Sequence, residues 1–133
     1  MLKLTIVTPS KRLVVDQPVE EVFAPAELGE INVLPGHAPL LTTLTTGVLK
    51  YRKAGDQKPS LVVISWGFCE VSNDQIKILA ETAEREEEID QERARAAYQE
   101  AQKRMNDAGL GGSELEKVQR KLERAQMRMN VSH

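Results

Sequence analysis

Two periods of apolar residues divide the chain. Over residues 1–80 the apolar positions fall in short runs rich in Val, Ile, Leu and Thr: LKLTIVT (2–8), RLVVD (12–16), PVEEVFAP (18–25), LLTTLTTG (40–47), GVLKYRKA (47–54), SLVVISW (60–66), GFCEVSN (67–73) and QIKILAE (75–81). Turn formers separate them at Pro9-Ser10, Asp16-Gln17-Pro18, Ala54-Gly55-Asp56 and Asn73-Asp74. Many short strands with regular turn signals predict an antiparallel sandwich or barrel. GVLKYRKA alternates, with Val48, Lys50, Arg52 and Ala54 on one face and Leu49, Tyr51 and Lys53 on the other, as in a half-exposed strand. SLVVIS is apolar on both faces, which predicts a central strand.

Beyond Asp90 the period lengthens. Apolar residues recur at Ala94, Ala97 or Tyr98, Ala101, Met105 and Ala108, and again at Leu115, Val118, Leu122, Ala125 and Met129. Spacings of three and four give each segment one helical stripe. Ala108-Gly109-Leu110-Gly111-Gly112 breaks the pattern, and a glycine there closes a helix readily. Ser113 and Glu116 have the capping-box spacing for a new start. The expected architecture is therefore β + α: an N-terminal antiparallel β-sandwich over residues 1–84, then a C-terminal two-helix antiparallel hairpin over 85–133. The hairpin stripes are thin. Alanine contacts bury little area at ~25 cal/mol per Å², so the hairpin is expected to rest weakly on the β-domain; a plain stable appendage is the alternative.

Composition narrows the function. A formal net charge of −2 on 133 residues excludes a nucleic-acid binder working by bulk electrostatics. Cys69 is the only cysteine, in a strand-like run, and is expected to be a buried, inert thiol. No run approaches the ~18 apolar residues of a membrane span, and MLKLTIVTPSKRL is too polar after Val7 for a signal peptide. Membrane contact, if any, is expected to be indirect.

No catalytic constellation is present. Gly-x-Ser-x-Gly, Walker and Rossmann patterns are missing from the sequence, so the chain is not expected to be an enzyme. No metal site is expected, because His37 has only the terminal His133 as a second histidine. Glu84, Glu86, Glu87 and Glu88 precede a helix, where the macrodipole favours negative charge.

Two stretches carry candidate chemistry. Leu34-Pro35-Gly36-His37-Ala38-Pro39 is a proline-stiffened turn, either a rigid surface loop or a pre-ordered docking loop, with His37 expected to be exposed. In EIDQERA (88–94), Asp90 is a good N-cap. Arg124 and Arg128 share a helix face at i, i+4. A folded hairpin brings them towards Arg93, Asp90 and Glu84. Such a set either forms ordinary surface ion pairs or binds a phosphate-bearing ligand, with the acids meeting a base or ribose.

In order along the chain, GEINVLPGHAPLLT (29–42), Gly47-Val48-Leu49, Gly67-Phe68-x-Glu70-Val71, ILAETAE (78–84) and IDQERA (89–94) resemble the epsilon subunit of the F-type ATP synthase. The resemblance implies a non-catalytic rotor subunit of the central stalk. Its sandwich would dock on the gamma subunit and the ring of c subunits, through the position of Glu30 and the loop Pro35, Gly36, His37, Ala38 and Pro39. Its hairpin would switch between a compact form and one extended into the catalytic alpha/beta head, where it inhibits ATP hydrolysis. No cofactor is required. ATP is implied as an optional regulatory ligand of the compact form, at Glu84, Ile89, Asp90, Arg93, Ala94, Arg124 and Arg128. The location implied is peripheral, on the cytoplasmic face of the bacterial inner membrane or the equivalent side of another energy-coupling membrane. Asn32 departs from the family's more usual glycine, though asparagine tolerates a left-handed backbone. A free-standing ATP-sensing module is the alternative reading.

Overall fold

The computed structural model describes residues 1–106 and 111–131. Seven strands come first: β1 (Leu2–Val7), β2 (Arg12–Ala26), β3 (Gly29–Val33), β4 (Leu40–Leu44), β5 (Gly47–Lys53), β6 (Ser60–Ser72) and β7 (Gln75–Arg85). A single 3-10 turn, Glu86–Glu88, leads into helices α1 (Gln91–Met105) and α2 (Gly112–Asn130). Hydrogen bonding runs β1-β7-β6-β4-β2-β3, with β5 bridging β2 and β6 and with β1 also paired to β2. Both layers of the sandwich thus belong to one continuous network. Leu2, Leu4 and Ile6 on β1 meet Val22, Leu44, Leu49, Ile64, Ile76 and Ile78 in its fully buried centre.

The sandwich is not wholly antiparallel: β1 runs parallel to β7, from Lys3 opposite Gln75 to Val7 opposite Leu79. Pairs of expected strands are also fused. Residues 12–16 and 18–25 form the single strand β2, because Asp16 takes a φ of 45° inside it and acts as a bulge rather than a turn. Residues 60–66 and 67–73 fuse into β6 around Trp66, which takes a φ of 48° while the register against β7 stays the same on either side. The expected central position of SLVVIS holds: β6 is flanked by β4, β5 and β7. Asn73 and Asp74, at φ 51° and 59°, make the two-residue turn into β7. β3 lies in a stretch where no strand was expected. Asn32 sits there opposite Phe23 in extended backbone, so no left-handed conformation is asked of it.

The left-handed backbone at Trp66 has a structural purpose. Buried positions on one face of a strand are separated by even steps. Ile64 and Cys69 are both buried at an odd step, as are Ala80 and Ala83 on the neighbouring β7. An irregularity across both strands at this line keeps all four pointing inward, as happens where long strands pass from one layer to another. Gly67 follows this left-handed residue, and a Cβ there would collide with the Leu79 carbonyl.

The hairpin begins as expected at Asp90, whose carboxylate accepts from the backbone N–H of Glu92 at 3.0 Å and of Arg93 at 3.2 Å. The start of α2 differs. It opens at Gly112, with Gly111 as N-cap and no side-chain capping bond, so Ser113 and Glu116 do not form the capping box. The expected glycine breaker lies partly outside the described residues, as does Ala108. Ala94 and Ala101 of α1 and Val118 and Ala125 of α2 are buried along the seam, whereas Leu115 is 37% exposed. The hairpin is held to the sandwich by a small cluster of Val63, Ile89 and Val131, with Val48, Leu61 and Met127 packed around it.

Candidate functional site

Where β7 ends and the hairpin folds back, four elements build a groove of about 370 Å³. Glu84 comes from β7, Glu88 from the 3-10 turn, Asp90 and Arg93 with Ala94 from the start of α1, and Arg128 from the end of α2. Six of the residues singled out in the sequence are thereby accounted for in one region: Glu84, Asp90, Arg93, Ala94 and Arg128 line this groove, and Arg124 lines an adjoining hollow that shares Arg128 with it. Ile89 does not line it. Its side chain is buried against Val63 and Val131, so it anchors the site from behind.

The groove is held together by charge and by one amide. Arg128 forms an ion pair with Glu84, its Nε donating to Oε1, and so ties α2 to the sheet. Both partners are about three-quarters buried, which strengthens the pair relative to an exposed one. Glu88 accepts from Lys11 Nζ at 3.1 Å. The Gln91 side-chain amide donates to the carbonyls of Arg128 at 3.0 Å and Val131 at 2.7 Å. These carbonyls lie at the end of α2, where no intrahelical donor is available, so the first residue of one helix caps the last turn of the other. Sequence reasoning missed Gln91, because a lone glutamine in a polar helix start carries no periodic signal.

The proline-stiffened loop lies at the opposite end of the sandwich. Gly36, at φ 83°, donates its N–H to Asp74 Oδ1 at 2.8 Å, so the β6–β7 turn braces the loop. The loop and the hairpin thus sit at the two ends of β7, about 30 Å apart at ~3.3 Å per residue. Pro35, Gly36, Ala38, Pro39 and Glu30 are exposed. His37 is half-buried rather than exposed, with Nδ1 2.6 Å from the Ala38 carbonyl. A second exposed feature was not singled out in the sequence. Phe68 and Leu79 are direct cross-strand partners on the outer face, 53% and 55% exposed, with Leu41 at 71% diagonal to Phe68. The signal was present as alternation in which both faces of a strand are apolar.

Cys69 is fully buried, and burial pushes its thiol up to about 11. Among the described residues, no group of His, Cys, Asp and Glu has the arrangement to hold a metal ion, and no helix is long and apolar enough to cross a membrane.

Comparison with known proteins gives the same family along the whole chain. Residues 1–86 match the family model described as ATP synthase, Delta/Epsilon chain, beta-sandwich domain, and residues 87–133 match the Delta/Epsilon chain, long alpha-helix domain. An ATP synthase epsilon chain of Bdellovibrio bacteriovorus is 58% identical over 67% of this chain and 64% of its own length. One from Trichlorobacter lovleyi is 45% identical over 98% of this chain and 93% of its own. Among solved structures, a chain in the OSCP/F1/c-ring part of the Euglena gracilis mitochondrial ATP synthase superposes with a TM-score of 0.81 at 26% identity, covering 95% of this chain and 78% of that one. The shared sandwich, the shared hairpin and this identity along nearly the full length place the chain in the delta/epsilon chain family of the ATP synthase.

Proposed function

We propose that this non-catalytic subunit works in the central stalk of an F-type ATP synthase, coupling proton translocation to ATP synthesis, and that ATP holds its hairpin in the compact position. The observation that carries the ATP reading is the groove at Glu84 and Arg128. Its walls come from β7, α1 and α2 together, so it exists only while the hairpin lies on the sandwich. A ligand bound there stabilises the compact form in proportion to its preference for that form over the extended one. Glu84 Oε2 and Asp90 Oδ2 have no partner among the described residues and suit the donors of a base or ribose; Arg93, Arg124 and Arg128 suit phosphate oxygens.

Docking falls to the sandwich. The braced loop from Pro35 to Pro39 loses little entropy on binding and, with the exposed Glu30 near the start of β3, fits contact with the c-ring. Gamma is the second stalk partner, and the alpha/beta head is the target of the extended hairpin. The subunit then sits peripherally on its membrane, through its partners.

Two measurements test this. Calorimetric titration of the full chain with ATP is expected to show binding that Arg93→Ala and Arg124→Ala abolish; no binding at millimolar ATP would refute the ligand. Truncation after residue 84 is expected to leave the subunit co-purifying with the synthase while ATP hydrolysis by the complex rises. Unchanged hydrolysis would count against a hairpin brake.

A further inference from the structure

We propose that Arg104 and Lys121, which face each other across the helix seam, distinguish a nucleoside triphosphate from its diphosphate. The proposal rests on the reading that a nucleotide occupies the groove at Glu84 and Arg128. Beyond Arg128 that groove continues into a hollow of about 190 Å³ between the helices, and the two share Ala97, Glu100 and Arg128. The hollow is floored by Ala101 and Val118 and edged by Arg104, Lys121, Arg124 and Arg128. Four cations thus face one carboxylate, Glu100.

The charge along this trough is polarised. Its mouth sets Glu84, Glu88 and Asp90 against Arg93 and the shared Arg128; its far end sets Arg104, Lys121 and Arg124 against Glu100 alone. On α2 the cations sit at 128, 124 and 121, steps of four and three that keep them on one face. Arg104 answers them from α1, eleven residues beyond Arg93 and so about 16 Å along the helix axis. Among the described residues, Arg104, Lys121 and Arg124 have no carboxylate within 4.0 Å. The Nε of Arg124 is buried without a hydrogen-bond partner among them. A buried donor left unmatched in a cationic hollow is costly unless an acceptor arrives, and phosphate oxygens are acceptors of the right charge.

A nucleotide lying with its base and ribose at the carboxylates therefore extends its phosphates past Arg128 and Arg124 towards Lys121 and Arg104. A diphosphate ends one phosphate short of that pair. Only the terminal phosphate of a triphosphate reaches it, and each charge-assisted contact there adds about tenfold to affinity.

Titration of the full chain with ATP and with ADP tests this, using the unaltered protein, Arg104→Gln with Lys121→Gln, and the charge-preserving Arg104→Lys with Lys121→Arg. The neutral pair is expected to weaken ATP about tenfold or more while leaving ADP within about twofold, and the charge-preserving pair is expected to retain the preference. Circular dichroism checks that the helices persist. An unchanged ATP-to-ADP ratio in the neutral pair would overturn this proposal alone. Failure of the unaltered chain to bind ATP would overturn the nucleotide reading beneath it as well.

Discussion

The guanidinium of Arg120 lies 4.6 Å from the centre of the Trp66 ring, joining the middle of α2 to the one left-handed residue of β6. A cation over an indole face at a partly exposed site contributes ~0.5–1 kcal/mol. Because the hairpin rests on a small apolar cluster, that increment is a meaningful share of its hold. Trp66 is the only tryptophan, so the contact reports on itself. Arg120→Ala is expected to change the tryptophan emission and raise hydrogen exchange in α2, while β6 and β7 stay protected. Unaltered exchange in α2 would show that the contact holds nothing.

Ile89 packs behind the groove against Val63 and Val131. Ile89→Ala is expected to cost ~2–4 kcal/mol of docking, from lost burial plus the cavity left. The loss should fall on the hairpin. Limited proteolysis is expected to cut between residues 85 and 91 sooner, with the fragment 1–84 persisting. A lowered melting temperature of the sandwich with no gain in cleavage would place Ile89 in the wrong unit.

Gly67 accepts no side chain because its β7 neighbour, the Leu79 carbonyl, occupies the space a Cβ would need. Gly67→Ala forces β6 and β7 apart, at ~1–3 kcal/mol. Thermal unfolding followed by circular dichroism is expected to move down by several degrees. The neighbouring exposed Glu70→Ala is the control and should move little.

Cys69 contributes to stability in one direction of pH only. Its thiol titrates at about 11 when folded and near 9.0 when unfolded. Between those values the unfolded chain binds fewer protons, so stability falls as pH rises. The contribution is intact below about 9 and is lost on the way to about 11. The stability difference between the unaltered protein and Cys69→Ala is expected to be flat at neutral pH and to shrink across that interval. At pH 7 the folded thiol should resist alkylation.

Strand and helix content were legible because the periods of two and three to four are written in the apolar residues. Direction and continuity were not. Nothing in LKLTIVT says that it runs parallel to QIKILAE, and Asp16 and Trp66 look locally like strand ends although each takes a left-handed backbone within a longer strand. GEINV was hidden because glycine, glutamate and asparagine dilute its alternation. At the groove, Asp90 was readable from local capping chemistry. The approach of Arg128 to Glu84 followed from folding a hairpin back on its own start. Gln91, Arg104 and Lys121 were invisible at that stage, since polar residues on a charged helix acquire meaning only from what they face.

The cluster beneath the hairpin draws its sandwich half from Val63 and Val48, while Val62, Ile64 and Leu49 beside them point the other way into the core. Alternation along two strands thus assigns adjacent residues to separate equilibria. A methyl group added or removed at Val63 retunes how readily the hairpin lifts, and the same change one position away would put the sandwich itself at risk. The ease of release can therefore drift between lineages, or be set by design, through a handful of outward-facing positions without passing through an unfolded platform.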